Sequence, residues 1–179
     1  METIYLAGGC FWCTEAVYRA LHGVLSVTSG YMGGHVENPT YNQVSSGTTG
    51  HAETIKVEYD SNIISTEDIL AVFFDSHDPT TLDRQGADVG SQYRSAIFYT
   101  EHIQKDAAEK IIRERAEKLP EGLSIVTELM LAGEFYPAED YHHDYFAANP
   151  DKMYCKLVIV PKIEKLGKEA IAYKKEVYG

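Results

Sequence analysis

Residues 3–7, Thr-Ile-Tyr-Leu-Ala, crowd β-branched and aromatic side chains into a short run closed by Gly8-Gly9, which predicts a strand. From Cys10 onward Phe11, Cys13, Ala16, Val17, Ala20 and Leu21 recur at helical spacing, and Gly23 supplies a stop. Residues 24–28 read as a second strand. Residues 30–50 are packed with Gly, Asn, Pro, Ser and Thr and predict a long irregular loop, of the kind that is usually functional or mobile. Residues 51–59 then alternate, with Ile55, Val57 and Tyr59 on one face and Lys56 and Glu58 on the other. Ser65 and Asp68 form a capping pattern ahead of Ile69, Leu70, Val72, Phe73 and Phe74, so a helix runs to His77, where Asp78-Pro79 breaks it. A polar loop over 78–94 precedes a strand at 95–100 and a charged amphipathic helix over 101–119 that Pro120 ends. Residues 124–131 predict one more strand. The stretch 133–150 is dense in aromatics and acids; after it Tyr154-Cys155 leads into an apolar run, 157–160, that Pro161 closes, and a last helix spans about 162–177.

Strands interleaved with helices predict an α+β fold, a two-layer sandwich on a mixed sheet. The 179 residues suffice for one core, and a single domain over 1–179 is expected. No apolar run approaches a membrane span, and the first residues lack the basic start and apolar core of a secretion signal. A net charge of −11 argues against a phosphate-binding surface, so neither nucleic acid nor a membrane is an expected partner. Three cysteines make no disulfide scaffold, and point to thiol chemistry or a metal in a reducing, cytoplasmic compartment.

Strand parity adds one observation. It places Glu53 on the same face as Ile55 and Val57, where a carboxylate is costly to bury unless it is paired, protonated or used in chemistry. If buried, it becomes a proton donor at neutral pH; if the strand frays at its start, it merely reaches solvent. Cys10, at the predicted mouth of the first helix, meets free amides and the positive end of the helix dipole, which favour a thiolate. The plainer reading is a small buried core residue. Cys13 lies three residues on, close enough for disulfide geometry. That spacing fits a thioredoxin-like dithiol, a nucleophile with a resolving partner, or half a zinc site completed from Cys155, His142 and His143. Phe11 and Trp12 are core aromatics or the walls of a small apolar pocket.

The segments GGCFWCTEA at 8–16, GYMGG at 30–34, NPTYNQVSSGTTGHAETIKVEYD at 38–60, DVGSQYRSAIFY at 88–99 and EDYHHDYF at 139–146 together resemble peptide methionine sulfoxide reductase A, in order and over essentially the whole chain. The resemblance implies a ferredoxin-like α/β plait with a mixed sheet, extra helices and a long irregular C-terminal part. It implies Cys10 as nucleophile, Phe11 and Trp12 as the pocket for the substrate's S-methyl group, and Glu53 as the acid that protonates the sulfoxide oxygen. Tyr41 and Tyr93 would hold that oxygen, with Asp88 in the surrounding hydrogen-bond network. Methionine S-sulfoxide, free or in proteins, is the implied substrate; thioredoxin or another dithiol the reductant; no metal or organic cofactor is needed. Many family members have glycine at the position of Cys13 and resolve through a cysteine in a glycine-rich tail. Here Cys155 stands near that position without the glycines, so Cys13 is the expected resolver and Cys155 the alternative or a second relay thiol. A general thiol–disulfide oxidoreductase using Cys10 and Cys13 is the rival function.

Overall fold

The computed structural model describes residues 1–169. In chain order the first elements are β1 (Glu2–Gly8), α1 (Phe11–Arg19), β2 (Val24–Met32), α2 (Tyr41–Ser45), β3 (Ala52–Tyr59) and α3 (Thr66–Ser76). They are followed by β4 (Arg84–Gln85), β5 (Asp88–Val89), β6 (Ser95–Tyr99), α4 (His102–Ala116), β7 (Glu128–Leu131), β8 (Tyr136–Pro137), α5 (Tyr145–Ala148) and α6 (Val160–Glu169). Six strands form one sheet in the order β7-β6-β1-β3-β2-β8, and β4 and β5 make a small separate hairpin. All neighbours in the large sheet are antiparallel except β6 and β7, so the sheet is mixed.

Register puts Leu6 opposite Ile55 on one side and Ile97 on the other, and Ile4 opposite Val57. These apolar positions, two apart along each strand, share the face on which Phe11, Val17 and Tyr18 of α1 and Ile69, Leu70 and Phe73 of α3 pack to form the main core. The opposite parity gives a smaller cluster, Ala7, Met32, Ala52, Ala96 and Phe98, covered by Met130, Ala132 and Phe135. At the β2–β8 edge Gly30 pairs with Pro137, and a Cβ there would lie 2.5 Å from the Tyr136 carbonyl. Glycine is what lets the last strand close on β2.

The sequence expectations need four adjustments. β2 runs to Met32, because β3 continues to pair with it past the main core. The loop over 30–50 contains α2, opened by a capping box between Thr40 and Gln43. Only Glu128–Leu131 of the expected strand joins the sheet; Val126 donates instead to the Pro79 carbonyl at 2.8 Å. Pro161 does not close a segment. A π-helical turn, Cys155–Ile159, runs straight into α6, so the helix continues through Pro161. The expected helix beyond residue 169 lies outside the described residues. Among those described, no helix is long and apolar enough to cross a membrane.

Candidate active site

β1 ends at Gly8, and Gly9 turns the chain at φ +91° with the Gln85 side chain so close that a Cβ would lie 2.6 Å from it. Cys10 then stands at the N-cap of α1 without a side-chain capping hydrogen bond. The first amide of the helix, Phe11 N–H, donates to Oε2 of Glu53 at 3.0 Å. Glu53 is 3% exposed and lies inside β3 opposite Tyr31, so the frayed-end alternative does not hold. Burial raises its pKa from 4.5 to about 8, against the lowering effect of the Phe11 amide and with help from the negative charges of Asp88 and Cys13. Glu53 therefore carries a proton at neutral pH.

The helix mouth does not do for Cys10 what the sequence suggests. Its hydrogen bond with Cys13, its burial and the charge of Glu53 all push the Cys10 thiol up. Cys13 is instead the more acidic thiol, lowered to about 7. The hydrogen bond from Cys10 is the main cause; the Lys162 ammonium and the Tyr154 hydroxyl, 3.3 Å from its Sγ, add to it against burial and Asp88. A Cys10 thiolate in the resting pair is thus disfavoured, because the Cys13 hydrogen bond, burial and the Glu53 charge outweigh the helix mouth. All three cysteines are free thiols. Cys155 is buried with Cys13, Ala16 and Ile159, and burial pushes its thiol up.

Tyr41, at the start of α2, and Tyr93, after the β4–β5 hairpin, are each half-buried and face Glu53, Cys10 and Asp88, whose charges join desolvation in holding both phenols protonated. Asp88 is raised by its own burial. The structure thus gathers Cys10, Cys13, Glu53, Tyr41, Tyr93 and Asp88 from five separate stretches of chain. Phe11 is fully buried, its ring 5.8 Å from Tyr31 and 5.1 Å from His142. Trp12 stacks on Tyr145 at 3.8 Å, and its Nε1–H donates to Nδ1 of His142 at 3.1 Å. A cavity of about 190 Å³ adjoins the two thiols, lined by Gln85, Asp88, Tyr154 and Lys162 among others. Phe11 and Trp12 are not part of its wall. Among the described residues, no three His, Cys, Asp or Glu side chains are grouped to hold a metal ion.

The sequence profile of the peptide methionine sulfoxide reductases matches residues 2–175. The chain belongs to this family. A relative from Saccharolobus solfataricus, named peptide methionine sulfoxide reductase MsrA, is 54% identical over 168 residues, covering 94% of each chain. Among solved structures, reduced Mxr1 from Saccharomyces cerevisiae superposes with a TM-score of 0.78 at 34% identity, over 86% of this chain and 88% of that one. Mxr1 in complex with Trx2 superposes with a TM-score of 0.55 at 26% identity, over 80% and 84%.

Sequence reasoning did not flag Glu15 or Tyr154 for this reductase site, and it considered His142 only as a zinc ligand. Glu15, 1% exposed, accepts from the Asp144 amide at 2.9 Å and from Arg19 at 3.1 Å, tying α1 to the start of α5. His142, fully buried, holds the Trp12 indole, and burial lowers its pKa so that it stays neutral. Tyr154 sits on Cys13. A buried acid in α1 breaks the apolar period, which is a usable signal; the partners of His142 and Tyr154 are 130 and 141 residues away, and no local pattern encodes them.

Proposed function

We propose that this protein reduces methionine S-sulfoxide, free or in proteins, in a reducing cytoplasmic compartment, as one catalytic domain. The observation that carries the reading is a buried carboxyl, Glu53, bound to the first amide of α1 beside two free thiols, with its pKa pushed up to about 8 by that burial. Glu53 donates its proton to the sulfoxide oxygen, while the hydroxyls of Tyr41 and Tyr93 hold that oxygen and Asp88 orders the network around them. Phe11 and Trp12 hold the S-methyl group. Protonation makes the sulfur electrophilic, and Cys10 attacks it. Cys13, the anionic member of the pair, accepts the Cys10 proton as the attack develops.

Oxygen ends on Cys10 as a sulfenic acid and methionine leaves as the thioether; the substrate sulfur gains two electrons and Cys10 loses two. Cys13 then attacks Cys10 Sγ, an S–S bond forms, and hydroxide leaves as water after taking up a proton. Cys155 is the alternative resolver or a second relay thiol. A dithiol reductant restores both thiols, and the Trx2 complex of the yeast relative supports thioredoxin in that role. The test is a single-turnover reaction with each sulfoxide epimer, followed by mapping of the disulfide. Methionine from the S epimer and a Cys10–Cys13 bridge are expected. No methionine from either epimer would leave only a general dithiol exchanger, for which Glu53 has no use.

A further inference from the structure

α6 is fixed by its apolar side. Leu166 is buried in the main core, and Ile163 packs both there and on the cluster of Cys13, Ala16, Cys155 and Ile159. That docking leaves Lys162, one residue before Ile163, half-buried at the wall of the cavity into which Cys10 and Cys13 open. Among the described residues, Lys162 is the one cation of that wall and Asp88 its one carboxylate. No carboxylate among the described residues comes within ion-pair distance of Lys162. A lysine on a docked helix, half-sheltered from water, acts on a neighbouring thiol with less screening than a surface lysine does.

We propose that Lys162 is a positioning residue for the resolving step, its ammonium favouring Cys13 as the thiolate that attacks the Cys10 sulfenic acid. The proposal rests on the reading that Cys13 is the resolver. In that step the Cys13 sulfur forms the S–S bond, the Cys10 S–O bond breaks, and hydroxide departs and is protonated to water. Among the described residues, the charged and titratable groups facing Cys13 are Cys10 at the helix mouth, Asp88 of β5, Glu53 of β3, Tyr154 just ahead of the π-helical turn, Cys155 within it, and Lys162. Of these only Lys162 brings positive charge; Asp88 works in the opposite sense.

The test compares wild type, Lys162→Met and Lys162→Arg in rapid mixing with one equivalent of methionine sulfoxide between pH 6 and 9.5. Loss of the sulfenic acid is followed by chemical trapping, and the disulfide formed is mapped by mass analysis. Losing the ammonium should raise the pKa of Cys13, leaving less of it as thiolate, and slow resolution about fivefold at pH 7. The difference should close by pH 9.5, where Cys13 ionises unaided, and arginine should keep most of the wild-type rate. A Cys10–Cys13 bridge formed by Lys162→Met with the wild-type pH profile overturns the role of Lys162 and leaves Cys13 as resolver. Slowing by one factor at every pH also overturns it, since that marks a packing defect. A Cys10–Cys155 bridge in wild type overturns the resolver itself, and this proposal with it.

Discussion

Replacing Glu53 with Gln separates what the buried carboxyl does for chemistry from what it costs the fold. Glutamine has the same shape and can still accept the Phe11 amide through its carbonyl, but it has no acidic proton to give. Loss of a general acid lowers the chemical step by roughly 10²–10⁴-fold. Stability moves the other way. Because the native pKa is raised from 4.5 to about 8, the folded protein binds this proton more tightly than the unfolded chain does. The stabilisation from that proton is complete below pH 4.5 and is lost as pH rises to about 8, which at pH 7 is a penalty of about 3 kcal/mol, to order of magnitude.

Glu53→Gln removes this penalty, so the variant should be more stable than wild type at pH 7–8 and should lose the advantage below pH 5. Single-turnover methionine formation measures the first effect, and denaturant unfolding at pH 5 and pH 8 measures the second. A variant that keeps its rate within about threefold would refute the general-acid assignment. A variant less stable than wild type at both pH values would refute the burial argument, because it would mean the charged carboxylate is net favourable in its native place.

Two further outcomes follow from the thiol pair and the aromatic cluster. Cys13→Ser should give a stoichiometric burst of methionine and then stall with a trappable sulfenic acid on Cys10; unchanged steady-state turnover with thioredoxin would show that Cys155 resolves. His142→Ala leaves the Trp12 N–H without its acceptor and opens a hole among Phe11, Tyr41 and Tyr141, at a cost of about 2–4 kcal/mol in denaturant unfolding. Trp12 is the sole tryptophan, so a change in its fluorescence should accompany that loss, and an unaltered emission spectrum would contradict the assigned hydrogen bond.

The parts of the site that sequence made readable are those encoded by a short period. Glu53 declared itself through strand parity with Ile55 and Val57, and Cys10 through its place between two glycines and a helical repeat. Tyr41, Tyr93 and Asp88 lie where no period runs, and only the family resemblance drew attention to them. The pattern Thr40-x-x-Gln43 does spell a capping box, but a helix of five residues is too short to leave an apolar repeat behind it. Pro161 and Cys10 went astray for a common reason. A local rule, proline as breaker or helix dipole as thiol activator, was overridden by the surroundings: the docking of α6 in one case, the Cys13 hydrogen bond, burial and the charge of Glu53 in the other.

The site must hold an acid and a thiolate side by side, so the thiol pair must give up its proton before Glu53 does. Burial alone would settle the matter by neutralising both. Here the two ionisations are pulled into a useful order: the thiol pair loses its first proton near 7, through the Cys10–Cys13 hydrogen bond and the Lys162 charge, and Glu53 keeps its proton to about 8. Between those values the site holds one thiolate and one carboxylic acid together. The single-turnover rate of methionine formation should therefore rise through pH 7, peak near 7.5 and fall beyond 8, standing about sevenfold below its maximum at pH 6 and pH 9. In Glu53→Gln the falling limb should vanish while the rising limb stays near pH 7, because Glu53 is already uncharged there. A wild-type rate that climbs without a break to pH 9.5 would mean that proton donation by Glu53 does not limit the reaction, whatever its geometry.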